Sequence, residues 1–107
     1  MSSDISIRVK HPDGYESRFD VGQYTSNANA MLSAAIDVTM GWFDGKDCKD
    51  AAPFLEHAVK LMESDPEKFI SLQPKNGWGD YQSYLAFLKK WEDLVKEHPN
   101  GAIRNFY

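Results

Sequence analysis

The chain has 107 residues, of which 42% are hydrophobic and 13% aromatic, enough apolar mass for one small domain with a real core. A formal charge of −4 argues against sequence-independent nucleic-acid binding, which rests on clustered Lys and Arg. A lone cysteine rules out an internal disulfide, no apolar run approaches the ~18 residues of a membrane span, and no charged-then-apolar leader opens the chain, so a cytoplasmic protein without membrane contact is expected.

Ile5, Ile7 and Val9 alternate with Ser6, Arg8 and Lys10, the period of a strand with one buried face. His11-Pro12-Asp13-Gly14 is a turn, because Pro fixes φ and Gly admits positive φ. Tyr15, Ser17, Phe19 and Val21 then alternate with Glu16, Arg18 and Asp20, and the two runs read as a β-hairpin closed by Gly22. Ala28, Met31, Leu32, Ala35, Ile36, Thr39 and Met40 recur at helical spacing, which predicts a first helix over about 28–40. Gly41 and Gly45 bracket a breaking loop that holds Trp42 and Phe43. Asp50 is the expected cap of a second helix, with Pro53 in its first turn and Phe54, Leu55, Ala58, Leu61 and Met62 as its apolar stripe. Asp65-Pro66 restarts a short helix to about Leu72, and Pro74 closes it. Asp80 caps the last helix, whose inner face is marked by Tyr81, Tyr84, Leu85, Leu88, Trp91, Leu94, Val95 and His98. Pro99-Asn100-Gly101 ends that helix, and Ala102 to Tyr107 reads as a closing strand. The expected fold is a single α+β domain over 1–107. It has an N-terminal β-hairpin, three to four helices and a C-terminal strand, with a small antiparallel sheet covered on one face by helices.

Two segments stand out chemically. Asn76-Gly77-Trp78-Gly79-Asp80-Tyr81 sets a Trp and a Tyr about two glycines just before a helix. On a structural reading the glycines make tight turns, Trp78 plugs the core and Asp80 caps the helix. On a binding reading the same helix start offers free N–H groups while Trp78 or Tyr81 packs on a ring. Neither glycine-rich phosphate fingerprint is present, and Asp80 opposes an anion at that terminus. Tyr24-Thr25-Ser26-Asn27-Ala28-Asn29 is likewise either a turn with redundant caps or a set of polar groups lining a pocket. If the two segments lie side by side they make one site. Its residues are Tyr24, Thr25, Ser26, Asn27, Asn29, Trp78, Gly79, Asp80 and Tyr81, and its ligand is small, polar and nucleotide-like.

No cofactor or metal is expected. His11, His57 and His98 fit no metal spacing with one another or with Cys48, and Asp44-Gly45-Lys46-Asp47-Cys48 puts Lys and Cys where a calcium loop needs oxygen ligands. Cys48 has no placed base and reads as a solvent-exposed or half-buried structural thiol. With no nucleophile–base pair in view, a non-enzymatic binding protein is the leading expectation. The alternatives are an acidic protein-interaction module that inhibits a host protein, anchored by Trp42, Phe43, Phe106 and Tyr107, and, behind it, an enzyme of unknown type. The closing strand also offers an edge or an aromatic end for a homo-oligomer.

Gln23-Tyr24-Thr25-Ser26-Asn27, then Asn76-Gly77-Trp78-Gly79-Asp80-Tyr81, then a helix ending in Glu97-His98-Pro99 before a short β end, together resemble a group of small bacteriophage and bacterial mobile-element proteins. The resemblance runs over most of the chain in order and approximate spacing. That group carries no assigned activity, so no catalytic residue transfers. The resemblance implies an accessory role, such as countering a host defence.

Overall fold

A computed structural model describes residues 2–75, 77 and 79–106. Three strands, β1 (Ser2–Lys10), β2 (Glu16–Thr25) and β3 (Ala102–Phe106), form an antiparallel sheet in the order β2-β1-β3. Helices α1 (Asn29–Ile36), α2 (Cys48–Ser64), α3 (Pro66–Ile70) and α4 (Tyr81–Glu97) make up the helical layer, so the α+β class and its hairpin-first, strand-last order hold. The hairpin closes as its turn residues demand. Gly14 sits at φ 89° and donates its N–H to the His11 carbonyl at 3.0 Å.

One irregularity in β2 positions Tyr24. Ile5 faces Gly22 but Ser6 faces Asp20, which leaves Val21 as an extra residue. The bulge resets the alternation, so Val21 is buried and Tyr24, three positions later, also turns inward onto α4. Strict alternation would send one of them to solvent.

The first helix is shorter than its spacing predicts. Asp37 adopts φ 61°, left-handed, and ends α1 at Ile36. The chain then folds back, with the Met40 N–H donating to Asn29 Oδ1 at 2.8 Å and the Ser33 hydroxyl to the Val38 carbonyl at 3.2 Å. Met40 reaches the core from a 3₁₀ turn over Met40–Phe43 and not from a helix face. The start of α2 also differs. Asp47 is its N-cap residue and Asp50 lies in the first turn. Its buried stripe is Cys48, Ala51, Leu55, Ala58, Val59 and Met62, while Phe54 is 43% exposed. The cause is tertiary. The Gly45 N–H donates to Ile103 O (2.8 Å), the Ile103 N–H to Lys46 O (2.8 Å) and the Cys48 N–H to Gly101 O (2.9 Å). These bonds fix the rotation of α2 with Cys48 inward.

The same bonds cover the outer edge of β3, and Asp44 Oδ1 accepts the Asn105 N–H at 2.9 Å. Along that edge the Ile103 N–H and C=O and the Asn105 N–H are thus bonded within the chain, which leaves fewer free groups there for pairing between subunits. The open edge of the sheet is β2.

α2 and α4 lie side by side on the inner sheet face. Between them and the sheet are Trp91, Tyr84, Leu88, Phe43, Leu55, Ile5, Ile7 and Ile103, all fully buried. Phe43 meets Trp91 edge-on at 4.8 Å, so its expected role as a surface anchor is corrected. His98, past the end of α4, stacks on Phe19 at 3.9 Å. No helix among the described residues is long and apolar enough to cross a membrane.

Candidate functional site

The turn after β2 and the start of α4 abut. Thr25 ends β2, and its Oγ1 accepts the Asn27 N–H at 3.3 Å, capping a 3₁₀ turn over Ser26–Ala28. Asp80 caps α4 as its sequence predicts, its Oδ1 accepting the Ser83 N–H at 2.8 Å. Tyr24 joins the two segments. Its ring packs 4.9 Å from Tyr84 and 5.1 Å from Phe87, and its hydroxyl shares a hydrogen bond with Ser83 Oγ while facing the Asp80 carbonyl at 3.4 Å. Burial pushes the Tyr24 phenol up, so the hydroxyl keeps its proton at neutral pH.

Gly79 sets the closeness of the junction. It lies at φ 90°, and a Cβ there would fall 2.7 Å from Thr25 Cγ2 and 3.3 Å from Tyr24 Cε1. Only a residue without a side chain lets the loop before α4 lie on the end of β2.

The eight expected site residues that the structure describes divide into three groups. Tyr24, Thr25, Gly79 and Asp80 come together at the junction, through the contacts of Gly79, the Tyr24 bridge and the two caps. Asn29 and Tyr81 are engaged elsewhere: Asn29 Oδ1 holds the Met40 N–H, and the buried Tyr81 donates its hydroxyl to Met62 O at 2.6 Å and its N–H to Gln73 Oε1 at 3.1 Å. Ser26 is half-buried and Asn27 exposed, and neither side chain is hydrogen-bonded among the described residues. Trp78, and Asn76 before it, lie outside the described residues. An open hollow of about 240 Å³ adjoins the α4 start, lined by Ile70, Gln73, Asp80, Tyr81 and Gln82.

Among the described residues no group of three or more His, Cys, Asp and Glu is placed to hold a metal. Cys48 is fully buried, deeper than its sequence suggests. Burial first, and then Asp47, raises its thiol to about 11. A thiol of that pKa is thiolate to about one part in a thousand at pH 8. Native protein is therefore expected to react with Ellman's reagent far more slowly than urea-unfolded protein. Equal rates in the two states would contradict this burial.

The arginines do not stand out in the sequence. Arg8, Arg18 and Arg104 are the only arginines in the chain, and the register places all three on the face of the sheet away from the helices. Their only signal is an outward position in each of two strands and a place near the chain end, and it takes the strand order to bring those segments together.

Comparison with protein-family models, with curated proteins and with solved structures returns no match.

Proposed function

We propose that this chain is a non-enzymatic accessory protein that binds a small, polar, nucleotide-like ligand at the junction of the β2–α1 turn with the start of α4. The observation that supports the reading is the close approach of Gly79 to Thr25 and Tyr24, which brings the end of β2 against the loop before α4. The caps and the Tyr24 bridge hold the junction in one geometry before any ligand arrives, which lowers the ordering cost of binding. Ser26 and Asn27 supply the ligand-facing hydrogen bonds, and the resemblance to bacteriophage and mobile-element proteins supplies the accessory role against a host.

Native mass spectrometry of freshly purified protein, followed by a denaturing run, tests this. A discrete extra mass that disappears on denaturation is expected, and Asn27→Ala should lower its occupancy while leaving the melting curve in place. A clean mass, together with unmoved Asn27 and Gly79 amides across a nucleotide panel, would remove the proposal.

A second reading has its own observation. Trp42 (38% exposed) and Phe54 lie 5.1 Å apart at the surface, with the Lys46 ammonium 4.6 Å from the Trp42 ring. Such a patch suits a protein partner, consistent with an acidic inhibitor of a host protein. Of the other expected anchors, Phe106 is exposed and Tyr107 lies outside the described residues.

A further inference from the structure

We infer a second binding site, on the open face of the sheet, for an anion that carries a flat ring, in the chemical class of a nucleoside monophosphate. It stands apart from the junction: Thr25 pairs with Ser2 at one end of β1, whereas this site gathers about Arg8 and Lys10 toward the other.

An acidic chain has concentrated its arginines here against local electrostatics. Arg8 and Arg18 face each other directly across β1 and β2, an arrangement of like charges that weakens a strand pair. Ser6, small and buried, lies between Arg8 and Arg104 in the register, and its Oγ accepts from Arg8 Nε at 3.2 Å. Arg8 therefore lies along the sheet and not away from it. Its guanidinium carbon comes 5.9 Å from the centre of the Phe106 ring, and that of Arg104 comes 5.7 Å from the same ring. Phe106 is 49% exposed. The result is an exposed aromatic ring flanked by two guanidinium groups on the open face of the sheet.

The acids nearby leave much of this donor capacity unused. Arg8 gives one further bond, from Nη1 to Glu16 at 3.2 Å, so three of its five N–H groups remain. Arg104 Nε lies 3.7 Å from Asp44 Oδ1, beyond hydrogen-bond reach, and that oxygen already accepts the Asn105 N–H. Among the described residues no acceptor holds the Arg104 guanidinium.

A hollow of about 510 Å³ adjoins these groups, within the usual range for small-molecule sites. Arg8, Lys10, Arg104 and Phe106 line it together with Glu16 and Asp47. The guanidinium forks match phosphate oxygens, and the ring offers a stacking surface. The two carboxylates are acceptors for sugar hydroxyls. The lining holds three cations and two carboxylates, and Asp44 stands 3.7 Å from Arg104 Nε, so the site has no surplus of positive charge for a polyphosphate and suits a single phosphate group held by the guanidinium forks. The −4 charge of the whole chain opposes a long nucleic acid.

The test is an amide-shift titration of the full chain with AMP, adenosine, inorganic phosphate and a single-stranded octanucleotide. It is run on the native protein and on Arg104→Gln, Phe106→Ala and Asn27→Ala variants whose melting curves confirm folding. AMP should move the amides of residues 102–106 saturably, and more weakly at high salt. Arg104→Gln should weaken AMP by about tenfold or more. Phe106→Ala should weaken AMP but not inorganic phosphate, and Asn27→Ala should change nothing here. No saturable shift with AMP, equal affinity for inorganic phosphate, binding of the octanucleotide alone, or indifference to both sheet variants would each overturn the assignment. Shifts confined to Ser26, Asn27 and Gly79 would also overturn it while leaving the junction proposal standing.

Discussion

Trp91→Ala is expected to destabilise the domain by about 3–5 kcal/mol, read from the urea midpoint at constant m-value. Trp91 is fully buried at the centre of α4, edge-on to Phe43 at 4.8 Å and to Phe87 at 6.2 Å. Truncation there leaves a cavity between the helical layer and the sheet that rigid neighbours cannot fill. Domains of this size are stable by about 5–15 kcal/mol in all, so the variant approaches the threshold for folding. Two milder substitutions separate packing from polarity. The Trp91 Nε1 and Tyr84 Oη atoms are buried with no hydrogen-bond partner among the described residues, and burial drives the Tyr84 phenol far above its ordinary value. Removing the Tyr84 hydroxyl should therefore cost nothing, and Tyr84→Phe is expected to be neutral or to stabilise by up to about 1 kcal/mol. A loss of more than about 1 kcal/mol would mean that the hydroxyl has a partner, such as a buried water. Phe54→Ala, at the surface of α2, is the matched control and should stay within about 1 kcal/mol of the parent.

The residues that followed expectation and those that did not differ in where their conformation is decided. The hairpin turn and the Asp80 cap are local: Pro12, Gly14 and the Asp80 carboxylate act within a few residues of themselves. The rotation of α2 is not local. Phe54 and Leu55 are equally apolar, and bonds from Gly101 and Ile103 to residues 45–48 decide which one points inward. The same holds for the short first helix. Thr39 and Met40 keep helical spacing in the sequence, but Asp37 turns left-handed and Asn29 holds Met40 from a different segment. A bulge at Val21 is equally invisible to a period-two pattern, yet without it Tyr24 would not reach Ser83. The candidate site inherits this division. Its caps were legible one by one, while the engagement of Asn29 and Tyr81 in the core, and the arrival of three arginines on one sheet face, depend on strand order and helix placement.

Gly79→Ala is expected to cost about 2–3 kcal/mol, from two separable causes. One is conformational: at φ 90° an L-residue is strained by about 1–2 kcal/mol wherever it lies. The other is the approach of the new Cβ to 2.7 Å from Thr25 Cγ2, which forces the α4 loop off the end of β2. Gly77→Ala isolates the first cause, since Gly77 has φ 78° and a Cβ added there would meet nothing within 4 Å. It should cost about 1–2 kcal/mol and no more. Thr25→Ser isolates the second, because it removes the Cγ2 methyl and keeps the Oγ1 cap on the Asn27 N–H. In a double-mutant cycle Thr25→Ser should recover about 0.5–1.5 kcal/mol of the Gly79→Ala loss. Additive behaviour in urea unfolding would show that the two segments do not touch, and the junction on which ligand binding is proposed would lose its basis. On the proposed reading, coupling that restores stability should restore ligand occupancy in the same variants.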